Sequence, residues 1–187
     1  MRRNQFVKFK NIDIRLFKIL RGVENQKLFY SHGDIPALKK FVLDCKKILD
    51  YEKDTRALII SLYPKNYNGK KFSAYTVKKI LEIMCEYAGD TLVQNATNDK
   101  LIEVYDRDRK LSMDRGSRYH QTREGGSIHT DNVNIPTGWE YLMFGCLSSS
   151  KAGGETILVD SKIIYKELNS NFIEAKKVLE KNFFWEK

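Results

Sequence analysis

The sequence predicts an α+β chain in which a helical α/β part, residues 1–92, runs into a β-rich part, residues 93–187. Two observations carry that reading. Upstream of Gly89, two amphipathic helical stripes flank one short apolar run of strand character. Downstream, the segments shorten, gain β-branched and aromatic residues, and are parted by turn residues. The composition agrees with a packed domain: 187 residues, 42% hydrophobic, 30% charged and 12% aromatic. A chain of that length fits one domain, and residues 1–187 are read as one.

The elements follow in order. Near the N-terminus Ile12, Ile14 and Leu16 alternate and then merge into a helical pattern, which predicts a surface strand or helix carrying solvated Lys and Arg. Residues 35–52 predict an amphipathic helix, opening after Gly33-Asp34, with Leu38, Phe41, Val42, Cys45, Ile48 and Leu49 on one face. Residues 57–64, ALIISLYP, predict a buried strand closed by Pro64, and a polar Asn-Gly loop follows. Residues 73–88 predict a second helix, capped by Ser73 and striped by Val77, Ile80, Leu81, Met84 and Cys85. Strands are then expected at 101–106, 126–131, 139–149 and 155–160. A short helix is expected from Ser161 to Leu168, and a helical stripe over 171–184. Phe183-Phe184-Trp185 reads as core material.

Several function classes drop out on composition. Three Pro and eleven Gly exclude a collagen-like or Pro/Gly low-complexity chain. No run of eighteen apolar residues occurs, so no membrane association is expected. The basic N-terminus lacks an apolar core and a small-residue cleavage site, so it does not read as a secretory signal. Cys45, Cys85 and Cys146 are too scattered for a disulfide scaffold or a metal knuckle, and their odd count suits a reducing, cytoplasmic location. The net charge of +9 invites a nucleic-acid reading, but eight basic residues against two acidic ones lie in residues 1–30, and residues 31–160 are nearly balanced. No groove-reading motif accompanies that charge, so no nucleic-acid partner is expected.

The chemistry concentrates around one of three histidines. His32 sits in a turn-like SHGD and reads as a loop residue, and His120 precedes a loop. His129-Thr130-Asp131 is an H-x-D dyad on an expected strand, and period-2 geometry puts its side chains on one face about 6–7 Å apart. An imidazole and a carboxylate so placed supply two legs of the 2-His-1-carboxylate triad that holds non-haem Fe(II). Taken alone, the dyad reads as an ordinary core or surface pair ahead of a metal site.

The context adds to it. Trp139 to Cys146 follows as an expected strand, then a turn, then Gly153-Gly154-Glu155-Thr156, with Thr156 placed 27 residues after His129. The stretch IHTDNVNIPTGWEYLMFGCLSSSKAGGETILVD, within a matching region from about Gln94 to Asp160, resembles the TauD/TfdA-type Fe(II)/2-oxoglutarate-dependent dioxygenases, the clavaminate synthase-like group. The resemblance implies a double-stranded β-helix, or jelly roll, as the core. It implies His129 and Asp131 as iron ligands and Thr156 as donor to the 2-oxoglutarate carboxylate. Gln121, Arg123 and Ser127 become substrate-lining candidates, Ser127 because it shares the strand face of the dyad. Fe(II) and 2-oxoglutarate become the expected cofactor and co-substrate. The implied activity is hydroxylation of a small polar or amino-acid-like substrate.

Two parts of the family's pattern have no counterpart. The family uses a later His as third ligand and a later Arg that grips 2-oxoglutarate in bidentate fashion. Residues 132–187 contain neither His nor Arg, and Lys lacks the forked geometry. The chain therefore reads as the N-terminal portion of a longer enzyme: a truncated product, one half of a split gene or an incomplete gene model. The C-terminal strands of the jelly roll would be missing, or would come from a second polypeptide, and the isolated chain is expected to be inactive. The other reading is a non-catalytic remnant or binding module of the same fold.

Overall fold

The computed structural model describes residues 6–26, 34–95, 97–107, 110, 112–117, 121, 122, 124, 126–131 and 138–182. Packing divides the chain into two units, residues 1–102 with 143–148, and residues 103–142 with 149–187.

In the first unit β1 (Val7–Asn11) is followed by α1 (Ile14–Asn25), α2 (Pro36–Tyr51), β2 (Ala57–Ser61) and α3 (Ala74–Ala88). β1 and β2 pair in parallel, Val7 against Ala57 through Asn11 against Ser61. Parallel neighbours need a crossover between them, and α1 and α2 fill it. α1 and α3 start where the sequence supplies a partner for the free N–H groups. Asp13 accepts from Leu16 N at 2.7 Å at the start of α1, and Ser73 accepts from Thr76 N at 3.1 Å at the start of α3. Pro36 opens α2, where its missing N–H is not needed.

The apolar stripes converge on one core. Ile12, Leu16, Phe17, Leu20, Leu38, Val42, Ile80 and Met84 are all buried in it. Phe17, Tyr63, Tyr67 and Phe72 close one end with ring centroids 4.7–6.2 Å apart. Arg21 lies 4.2 Å over the Phe72 ring and pairs with Glu24. The Glu24 carboxylate accepts from Ser73 N at 3.0 Å and from the Thr76 hydroxyl at 2.7 Å. It thus ties α1 to the first turn of α3.

Burial of Glu24 opposes its ionisation, but the Ser73, Thr76 and Arg21 contacts together outweigh it and hold its pKa below the usual 4.5. A carboxylate with a lowered folded pKa contributes stability above its unfolded value and loses it as pH falls towards the folded one. Urea unfolding should therefore show Glu24→Ala weaker than the parent by about 1–3 kcal/mol at pH 7. The gap should narrow as pH drops below 4.5. An equal gap at neutral and acid pH would show that the ionised carboxylate contributes nothing.

In the second unit a 3₁₀ turn (Met113–Arg115) precedes α4 (Ser161–Asn171) and α5 (Ile173–Leu179). Asp160 caps α4 through Lys162 N at 2.9 Å. Lys176 of α5 lies 4.9 Å over the Tyr165 ring of α4, and neither helix buries a residue.

α2, α3 and α4 match the sequence reading to within a few residues, and α1 takes the helical side of the strand-or-helix reading. α5 covers only 173–179 of the expected 171–184 stripe, and the mixed architecture is α+β. The expected strands after Gly89 are a correction. Among the described residues the sheet is β1–β2 alone, and 101–106, 126–131, 139–149 and 155–160 form no ladder. Strand-like composition becomes a strand only where a neighbouring strand accepts its hydrogen bonds. Ile128, Phe144 and Ile157 accordingly stand 69%, 73% and 75% exposed. The expected strand at 57–64 ends at Ser61, ahead of Pro64. His32, His120, Arg123 and Phe183-Phe184-Trp185 lie outside the described residues.

Candidate functional site

The H-x-D dyad lies in the second unit, on a segment that bends at Ile128 instead of running as a strand. The bend brings the two side chains closer than strand spacing would. His129 Nε2 is 3.3 Å from Asp131 Oδ1. His129 Nδ1 is 2.6 Å from the Ser127 carbonyl oxygen. A carbonyl only accepts, so Nδ1 carries a proton and donates it to Ser127. That bond fixes the ring and aims Nε2 at the carboxylate.

The consequence is electrostatic. With Nδ1 committed, a neutral His129 presents a lone pair at Nε2 to the lone pairs of Asp131. Two such donors face each other favourably only with a proton or a cation between them. Nitrogen and carboxylate oxygen are a donor set that Fe(II) accepts, and a ligating His commonly gives its other N–H to a backbone carbonyl. The side chains are 46% and 30% exposed, so an ion has access from solvent. The dyad fits two positions of such an ion. Among the described residues no group of three or more His, Cys, Asp or Glu could hold a metal.

Sequence reasoning missed two contributors. The Ser127 main chain orients the ring, whereas the sequence had suggested the Ser127 side chain as a lining group. Gly126 is the other: a Cβ there would lie 3.3 Å from His129 Cε1. The signal was available as the Gly125-Gly126 pair just ahead of the dyad. Gly126→Val should push the imidazole off its bond to Ser127 and weaken Mn(II) binding by about 10–100-fold, as loss of a ligand's support does. An unchanged affinity, measured by Mn(II) titration, would remove Gly126 from the site.

The remaining candidates are placed as follows. Gly153 and Gly154 adopt φ of 74° and 82°, a left-handed conformation that glycine takes without penalty. The Ser150 hydroxyl donates to the Gly153 carbonyl and closes this turn. Thr156, two residues on, is exposed and makes no hydrogen bond among the described residues. Gln121 holds Arg107 N through its carbonyl at 3.1 Å. Thr122 beside it is buried, and its hydroxyl accepts from Glu124 N at 3.1 Å. Arg123 lies outside the described residues. The structure joins His129, Asp131 and the Ser127 main chain into one group.

A family model described as taurine catabolism dioxygenase TauD, TfdA family matches residues 74–183. That span is more than half of the chain and contains the dyad, the Gly153-Gly154 turn and Thr156. No curated protein and no solved structure matches the chain.

Proposed function

Since the chain belongs to the TauD/TfdA family of dioxygenases, we propose that it carries part of the site of an oxidoreductase dependent on Fe(II) and 2-oxoglutarate. The observation that supports this most is the facing of His129 Nε2 and Asp131 Oδ1 across 3.3 Å, with Nδ1 held by Ser127. His129 and Asp131 hold the metal. Thr156 donates its hydroxyl to the carboxylate of 2-oxoglutarate, a role that suits a side chain with no other hydrogen bond among the described residues. Gln121, Ser127 and Arg123 border the substrate, which is small and polar or amino-acid-like. Bound iron and 2-oxoglutarate supply the oxidising power, with 2-oxoglutarate converted to succinate and CO₂ as the substrate is hydroxylated.

A third protein ligand and a carboxylate-gripping Arg are still required, and residues 132–187 offer neither His nor Arg. We place both on further strands of a jelly roll that pair with the apolar segments around Phe144 and Ile157, supplied by additional chain or by a second polypeptide. Three cysteines without disulfides, one of them exposed, suit a cytoplasmic setting.

The incomplete ligand set favours a second reading, a binding module that keeps the dyad without turnover. Succinate formation from 2-oxoglutarate, with Fe(II) and O₂ present, separates the two. The enzyme reading expects turnover once strands bearing the His and Arg are supplied, and its loss in His129→Ala. Turnover that survives His129→Ala would defeat the assignment of the dyad. Metal binding without any turnover in the completed protein would favour the module.

A further inference from the structure

A cleft of about 320 Å³ lies in the first unit between α3 and the turn that follows it. That volume is at the lower end of small-molecule sites, roughly 300–1,000 Å³. Cys85 and Leu101 give the cleft its apolar surface. Its outer rim is a firmly bonded turn. The Asn95 side-chain oxygen accepts from Thr97 N at 3.1 Å and from Asp99 N at 3.0 Å. The Asp99 carboxylate accepts from Asn95 Nδ2 and the Thr97 hydroxyl, each at 2.8 Å. Asn98 takes φ of 62°, a left-handed conformation that Asn tolerates better than most residues.

Most charges around the cleft are committed. Glu82 pairs with Lys79 at 2.6 Å. Asp99 is held by the turn and lies in the field of Lys78. Two lining charges of opposite sign are left. The side chains of Glu86 and Lys100 form no hydrogen bond or ion pair among the described residues. A third lining group is also unsatisfied: the Thr91 hydroxyl oxygen is buried and has no partner among the described residues. An unmet buried hydroxyl is costly, and a ligand's polar atom would satisfy it.

One anion, one cation and one buried hydroxyl around a small cleft specify a ligand that is both positively and negatively charged. We propose that this cleft binds a small zwitterion of the α-amino-acid class, with its ammonium at Glu86, its carboxylate at Lys100 and a polar atom at the Thr91 hydroxyl. The proposal uses residues of the first unit alone and does not depend on the metal reading of the dyad.

Amide shifts of the ¹⁵N-labelled 187-residue chain, titrated with L-alanine and L-glutamine, test it. Propionate and ethylamine serve as single-charge controls. Saturable shifts at Thr91, Asn98 and Lys100 are expected with at least one amino acid, with affinity about tenfold or more above either control. Glu86→Gln and Lys100→Gln should each weaken that binding by a similar factor. Both side chains are exposed, so these variants should keep the parent's far-UV circular dichroism. Thr91→Val should weaken it as well. Absence of saturable shifts with both amino acids would overturn the proposal. So would equal binding of a single-charge control, or unchanged affinity in both charge variants.

Discussion

Replacing Asp131 by Ala, or His129 by Ala, should eliminate saturable Mn(II) binding by the chain, and with it any Fe(II)-dependent conversion of 2-oxoglutarate. Each change deletes one of the two donors that face each other across 3.3 Å. The loss should exceed the roughly 10–100-fold that removal of a mere supporting group causes, because a single exposed donor competes poorly with water. Asp131→Asn is the sharper variant. It keeps the size and one oxygen but removes the charge, and it lets an amide N–H₂ satisfy Nε2 directly. Binding should fall nearly as far as with Ala. Stability should barely change, since His129 is exposed and Asp131 partly so, and such solvent-accessible pairs contribute about 0–1 kcal/mol. That contrast separates a metal site from a structural pair. If both variants bound Mn(II) like the parent, the dyad would be an ordinary surface contact.

The dyad also shows what a sequence can and cannot convey. The i, i+2 spacing of His129 and Asp131 pointed to their proximity, and the structure joins them. The expected route was wrong. Period-2 geometry presumes a strand, whereas the segment bends at Ile128 and the Ser127 carbonyl sets the ring. Main-chain groups leave no mark in the letter code, so that contact was invisible. The crowding limit at Gly126 was visible only as an extra glycine.

Helices were legible because their determinants are local. Ser73 and Asp13 cap the helices they precede, and the 3.6-residue stripes of α2 and α3 end up in the core. Strands were less so. Val7 to Asn11 is short and basic, and Phe9 turns out 77% exposed, so its alternation does not reveal the buried face. Its identity as a strand comes from β2, which lies fifty residues on. The segments around Phe144 and Ile157 have the composition of strands, and composition cannot supply a partner. The Tyr67 ring joined the aromatic end of the core from a stretch that reads as a polar loop, and Tyr63 joined it from beyond the end of β2.

The first unit depends on that core, and Leu38→Ala should expose the dependence. Leu38 is wholly buried on α2, in one cluster with Leu16, Leu20 and Ile80 from α1 and α3. Truncation removes three carbons from a site walled by helices on several sides. The walls can close only partly, so the lost transfer energy is joined by a cavity term, and the total should be about 2–5 kcal/mol. A domain whose stability is about 5–15 kcal/mol loses a large fraction of it. The urea midpoint should fall well below the parent's, with the slope unchanged if the unfolding remains two-state. Leu43 on the same helix is the control, because its side chain is 42% exposed. Leu43→Ala should shift stability by less than about 1 kcal/mol. Equal effects at the two positions would mean that α2 packs through a different face, and the core built on Leu38 would have to be abandoned.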